Sequence, residues 1–472
     1  MPMISTRISI SGARLTKKCA ARSAAAIGAA VLALVLSAPA AEAQIWKRWQ
    51  QAWHGFAPDR LERIDAHMEQ AMQDGKMVGG LGLIAHEGEI IYQSLWGERD
   101  RKGGKPMTED TLFRIFSMTK PVTSVAVMML HEDGKLRLDD PIAKHLPELA
   151  NLRLSTPSRD NPNATIASPS QPTVRDLLRH TAGFTYGFFS LSPVDLAYLR
   201  KNWLLRADMD LATFTQELGE VPLRFAPGTR WHYSVATDVL GRLVEAVSGQ
   251  RFEVFLRERI FEPLEMDDTF FRVPPDKQER FAVLYAPEGV PEKFAQEGFA
   301  AQPTGPGLEE AGDEFNQGYR PDAVFESGGG GLVSTAEDYL RFCMMLLQDG
   351  EAEGERLLSP QSVSLMRADA LGAIPQQALA PSALPGATNN GVGFGLGFAV
   401  VTDRGLAGTL APDDTYFWGG AAGTGFWIDE RNEIVGIFMT QSIPHLTTLR
   451  EDFRSLTYQA LIDNGEEDGR ND

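Results

Sequence analysis

The chain has 472 residues, 43% hydrophobic, 9% aromatic and 23% charged, a globular make-up long enough to bury a large core in two lobes. Its formal charge is −18, and an acidic surface of that size tells against nucleic acid and anionic membranes as partners.

At the N-terminus, Arg14, Lys17, Lys18 and Arg22 precede an apolar run over residues 24–38, and Ala41-Glu42-Ala43 fits the small-x-small cleavage pattern. Residues 1–43 are therefore expected to be an export signal, with Gln44 opening a periplasmic or secreted protein. The run stops at Pro39, short of the roughly 20 apolar residues of a membrane anchor, so no stable membrane insertion is expected after cleavage. Cys19 leaves with the signal. Cys343 is then without a disulfide partner and, in a helical apolar stripe, is assigned to core packing.

Residues 61–73 form an amphipathic pattern closed by Asp74-Gly75, and apolar runs at 80–85 and 89–96 meet through Glu87-Gly88, a hairpin signal. The next helix carries Val122, Val125, Val127, Met128 and Met129 as its apolar stripe and ends at Asp133-Gly134. Pro121 belongs in a first turn, so this helix starts near Ser117. A serine hydroxyl then sits at the positive end of a helix dipole, with Lys120 three residues on along the same face. A desolvated lysine can take a serine's proton and make it a nucleophile; the alternative is a capping serine followed by a solvated lysine. Ser117-x-x-Lys120 is the only such spacing in the chain.

Residues 138–148 open a run of short helices and loops. Thr173 caps a helix with Asp176 in its first turn, and further helices fall at 210–218 and 235–247. Residues 284–323 and 370–390 are irregular, the first a long loop beside the site or a surface excursion. Ser334 and Glu337 make a capping box for the helix that holds Cys343. Strands are expected at 393–401, 425–429 and 434–441, and a closing helix at 449–462. Strands at both ends with helices between imply an α+β fold: one antiparallel sheet built from distant segments, with an inserted helical lobe. The lobes are placed at 52–135 plus 325–464 (sheet) and 136–324 (helical), with 465–472 a disordered tail.

The chain has no G-x-S-x-G elbow and no H-E-x-x-H, and its eight histidines show no ligand spacing, so neither an ordinary α/β-hydrolase nor a metal site is expected. Residues 391–397 have the wrong spacing for a dinucleotide loop and fit a small-residue strand. Two stretches remain as partners for Ser117. Tyr233 ends a turn leading into the 235–247 helix, as a buried filler or as a phenol aimed at the nucleophile. Trp418-Gly419-Gly420-Ala421 is glycine-rich at a strand start, which frees backbone N–H groups for an anion or merely allows a tight strand entry.

Ser117-x-x-Lys120, Tyr233-Ser234-Val235 and Trp418-Gly419-Gly420, in that order, resemble the serine β-lactamase and penicillin-binding-protein superfamily. The chain looks like its class C β-lactamase-like branch, which includes the family VIII carboxylesterases. Weaker supporting stretches are Leu177–Gly183, Phe225–Gly228, Ile260–Thr269 and the glycine run from Ser327 to Ser334. The resemblance implies a β-lactamase/transpeptidase-like domain over 44–464, with no cofactor. It implies Ser117 as nucleophile, Lys120 and Tyr233 sharing its proton, and the N–H groups of Ser117 and Ala421 as the oxyanion hole.

Two departures bear on the substrate. Trp418 stands where the superfamily's β-lactamases and peptidases carry a Lys or His thought to hold a substrate carboxylate. Val235 replaces the asparagine of Y-x-N. An indole carries no charge for a carboxylate, and losing a charge-assisted bond costs about 1.5–3 kcal/mol. Val235, Trp418, Gly419 and Gly420 are accordingly assigned to binding a small neutral ester, and the protein to the carboxylesterases, acting on short acyl chains. The alternatives are a class C-like β-lactamase, a D-amino-acid peptidase or amidase, and an inactive binding protein. Arg320, in the 284–323 segment, is the cation nearest at hand to supply the missing charge.

Overall fold

Segments from both ends of the chain build one sheet. In the computed structural model, which describes residues 55–291, 303–352, 354–375, 390–445 and 447–462, its strands are β1 (Gly79–His86), β2 (Glu89–Asp100), β3 (Lys105–Pro106), β4 (Val392–Phe394), β5 (Ala399–Val401), β6 (Tyr416–Gly419), β7 (Gly425–Asp429) and β8 (Ile434–Thr440). They lie in the order β4-β5-β6-β7-β8-β1-β2-β3, antiparallel throughout. The expected signal (1–43) and tail (465–472) lie outside the described residues, as do 292–302 and 376–389 of the two irregular segments.

The β1–β2 hairpin turns at Glu87 and Gly88, both at positive φ (51° and 81°), the pairing a tight two-residue turn needs. At the centre of the sheet β1 pairs β8 from Gly80↔Thr440 to His86↔Ile434. Nearly every residue of these two strands is buried, as in a sheet covered on both faces. The pleat of β7 shows the two layers. Trp427 points toward Phe453 on one face (ring centroids 5.6 Å), and its neighbour Phe426 points toward Tyr339 on the other (5.3 Å).

Five helices position the site: α1 (Pro58–Gln73), α2 (Thr119–Glu132), α3 (Ala236–Ser248), α4 (Ala336–Leu347) and α5 (Leu449–Ala460). Helices α1 and α5 pack together over the Phe453 face. Helix α4 lies on the Tyr339 face. Helix α2 runs beyond it, packed against α3, and the Tyr339 hydroxyl donates to the Met118 carbonyl at 2.9 Å. Every residue of α2 from Thr119 to Leu130 is buried. The expected stripe of five is therefore a helix enclosed on all sides, between sheet layer and helical lobe.

The expected elements are present with four adjustments. The serine turn is a short 3₁₀ segment, Phe116–Met118, and the α-helix begins only at Thr119. Segment 393–401 is not one strand but the β4–β5 hairpin, pairing Val392 with Val401 and turning through Gly397 at φ 115°. The cap of α4 is Thr335, whose side chain accepts from the Asp338 N–H, rather than Ser334 with Glu337. Ser334 pairs with Phe113 in a two-residue ladder, which commits its backbone and starts the helix one residue later. The 284–323 segment contains a small ladder of its own, Tyr285–Pro287 against Leu308–Glu310. Cys343 is buried in α4.

Asp65 of α1 collects three donors from β2: Tyr92 Oη at 3.0 Å, Ser94 Oγ at 2.5 Å and Trp96 Nε1 at 2.9 Å. It pins the helix to the sheet far from Ser117. Asp65→Ala strands three donors and should lower stability by roughly 2–4 kcal/mol in urea unfolding, with the folded protein keeping its circular dichroism spectrum.

Candidate active site

The short ladder of Phe113–Arg114 with Val333–Ser334 delivers the chain to Ser117. Between them Phe116 adopts φ 42°, a conformation an aromatic residue takes only when its surroundings impose it. Ser117 is half-buried at the N-terminal side of α2. Its Oγ receives the Tyr233 hydroxyl at 2.7 Å and lies 3.2 Å from Lys120 Nζ. Lys120 is fully buried. Its Nζ also contacts Tyr186 Oη at 2.9 Å and the Gly329 carbonyl at 2.5 Å, and sits 4.6 Å from the centre of the Tyr233 ring. Tyr233 comes from the segment just before α3, and the adjoining His232 N–H is anchored on the His180 carbonyl at 2.9 Å. The structure thus brings Ser117, Lys120 and Tyr233 into one hydrogen-bonded cluster.

Burial sets the proton affinities. Desolvation lowers the Lys120 ammonium to about 7, against a smaller opposing pull from Asp238. The same desolvation raises the phenols of Tyr233 and Tyr186, so both stay protonated where Lys120 is already neutral. His180, ring to ring with Tyr233 at 4.9 Å, is held neutral by burial and then by the Lys120 charge. Near neutral pH the cluster has one exchangeable base, and it is the amine.

Trp418 is the penultimate residue of β6, with its ring 5.4 Å from Tyr233 and 5.3 Å from Phe394. Its indole N–H is buried with no well-aligned acceptor among the described residues, yet lies close enough to Tyr233 to favour the phenolate slightly. Val235 is buried at the cap of α3. Gly419 and Gly420 each have a packing reason: a Cβ on Gly419 would meet the Arg450 guanidinium, and one on Gly420 would lie 2.4 Å from the Ile115 carbonyl. Gly420 donates to the Thr424 carbonyl at 2.8 Å in the turn that carries Ala421. The N–H groups of Ser117 and Ala421 have no hydrogen-bond partner among the described residues. Arg320 is not in this cluster: half-exposed, it pairs with Asp313 and lines a separate pocket of about 550 Å³ beside Arg114.

Three neighbours of the cluster are given no individual role by the sequence. Tyr186 follows the recognisable Leu177–Gly183 stretch by three residues, but nothing in its spacing distinguishes it from a core aromatic. Asp238 occupies the first turn of a helix, where an acid is ordinary. Gly329 acts through its carbonyl, which no residue type announces. Gly420→Ala should prise the Ala421 turn from Ile115, and covalent labelling of Ser117 by an organophosphonate is expected to slow roughly tenfold with the fold retained by circular dichroism.

Comparison with known proteins agrees with this geometry. The family model described as Beta-lactamase matches residues 64–459. Esterase EstB of Burkholderia gladioli is 32% identical over 392 residues, covering 80% of this chain and 90% of that protein. The lovastatin esterase of Penicillium rubens is 28% identical over 403 residues, covering 80% and 92%. Among solved structures, EstCE1, described as a hydrolase with promiscuous acyltransferase activity, superposes with a TM-score of 0.65 at 25% identity, covering 86% of this chain and 99% of its own. With its sheet order, its serine–lysine–tyrosine cluster and a family match over most of its length, this chain belongs to the β-lactamase family and has the β-lactamase/transpeptidase-like fold.

Proposed function

We propose that the protein is a serine carboxylesterase acting on small neutral esters through an acyl-enzyme. The observation that carries this is the Ser117 hydroxyl set between a buried amine and a phenol, with an uncharged indole at the carboxylate-binding position of the superfamily's β-lactamases. The names of the relatives, two esterases and a hydrolase, support it. So does the placement of Arg320, whose guanidinium is engaged by Asp313 outside the cluster. Residues 1–43 support export, and with it a periplasmic or secreted setting.

Lys120 as the neutral amine takes the Ser117 proton as Oγ attacks the ester carbonyl, and Tyr233, held protonated, hands its proton to the departing alkoxide. The N–H groups of Ser117 and Ala421 receive the charge on the carbonyl oxygen. Water, losing a proton to the Tyr233 phenolate, then attacks the acyl-enzyme, and the Lys120 ammonium returns its proton to Ser117 Oγ as the acid leaves. The alcohol leaves on the Tyr233 side, toward the Trp418 ring, where uncharged aromatic groups favour apolar substituents over anionic ones.

Ser117→Ala should abolish turnover of nitrophenyl esters and phosphonate labelling together; labelling that survives in the variant would sink the assignment. Because the base must be neutral, kcat/KM for nitrophenyl butyrate should rise with pH through about 7 and level off above it. Substrate choice is read by comparing that ester with a chromogenic cephalosporin. The ester should be far the better substrate, and Trp418→Lys should narrow the gap by roughly tenfold per 1.4 kcal/mol of carboxylate binding recovered. Equal efficiency on the cephalosporin in the unaltered enzyme would favour the β-lactamase assignment instead.

A further inference from the structure

The glycine run at 327–331 is a bridge between two helices. Thr123 of α2 donates to the Gly328 carbonyl at 2.8 Å. On the other side the Gly329 N–H donates to Asp238 Oδ1 of α3 at 3.0 Å, and Ser327 Oγ donates to the same oxygen at 2.5 Å. The strand of backbone lies so close to α3 that side chains do not fit. A Cβ on Gly328 would stand 2.6 Å from the Thr237 carbonyl, and one on Gly329 2.6 Å from Asp238 Oδ2. The carbonyl of the same residue, on the next peptide unit, is the 2.5 Å acceptor of Lys120 Nζ.

Asp238 itself is anomalous. It is fully buried, yet no cation among the described residues reaches ion-pair distance, and its Oδ2 has no hydrogen-bond partner. Such a carboxylate is costly unless something nearby answers its charge. The charge it feels is Lys120, and Lys120 in turn feels Asp238.

We propose that Asp238 is a positioning residue for the base. Through its bonds to the Gly329 N–H and the Ser327 hydroxyl it fixes the backbone turn that aims the Gly329 carbonyl at Lys120, and its negative charge sets how tightly Lys120 holds a proton. The amine is thereby held facing Ser117, and its proton affinity stays high enough for it to work as a base. Without that charge, desolvation alone would lower Lys120 further and leave it a weaker base. The other groups facing Lys120 are the neutral hydroxyls of Ser117, Tyr186 and Tyr233, with His180 beside Tyr233 held neutral by burial and then by the charges of Lys120 and His232. Asp238 is the anion among them.

The inference rests on Lys120 acting as the base of the proposed esterase, and the test separates the two. Asp238→Asn keeps the shape and an acceptor for Ser327 and Gly329 but removes the charge. The acid limb of kcat/KM for nitrophenyl butyrate should move to lower pH by roughly one to two units, and the plateau should fall roughly tenfold, with KM little changed. Asp238→Ser, smaller and also uncharged, should move the limb in the same direction. A limb that stays in place in both variants while the protein loses only stability would overturn the proposal. Failure of both variants to fold would overturn it too, since Asp238 would then be a residue of the core and not of the base. If the esterase assignment itself is at fault, the unaltered enzyme shows no turnover and no limb near 7, an outcome recognisable before any variant is made.

Discussion

The site depends on the complete burial of the Lys120 amine. A lysine on an exposed helix would stay charged across the neutral range and serve Ser117 only as a hydrogen-bond donor. Enclosing α2 between the sheet layer and α3 removes water from Nζ, and three acceptors replace it: Ser117 Oγ, Tyr186 Oη and the Gly329 carbonyl. That environment both permits the neutral amine and fixes its direction. The rest of the architecture serves the enclosure. The eight-stranded sheet backs the helix layer, Tyr339 of α4 ties down the first turn through the Met118 carbonyl, and the glycine run lets α3 approach.

The same burial divides labour between amine and phenol. Desolvation acts in opposite senses on the two groups, lowering a cationic acid and raising a neutral one. One immersion therefore produces a base and an acid side by side, with Ser117 between them. The Trp418 indole adds a polar hydrogen without a charge, so the pocket gains orientation and stays apolar. Phe116, at positive φ, is where the backbone bears the cost of presenting Ser117 to the cleft.

Much of this was legible in the chain. Ser117, Lys120 and Tyr233 were found because their order and spacing are distinctive, and the elements were found because apolar periodicity and turn residues mark them. What escaped detection had no local signature. The β4–β5 hairpin was taken for a strand because its glycines, Gly395 and Gly397, sit in an otherwise apolar run, and only the tertiary position of Met366 against Gly395 calls for a turn there. The α4 cap slipped by one because Ser334 and Thr335 are equally good caps, and the choice is made by Phe113, more than two hundred residues away. Asp238 and Gly329 belong to the site through a backbone carbonyl and a helix-to-loop approach, neither of which residue type can encode.

The central strand pair, β1 with β8, joins Gly80 to Thr440. A ribosome therefore releases β1 long before β8 exists, and the inner edge of the β1–β2 hairpin must wait, uncovered, for nearly the whole chain. Contacts of such sequence separation are slow to form, and the waiting strand is sticky. Completion of the sheet, and with it of the layer that backs α2, therefore waits for the end of synthesis. A truncated chain lacking the last forty residues loses not an accessory edge but the middle of its sheet.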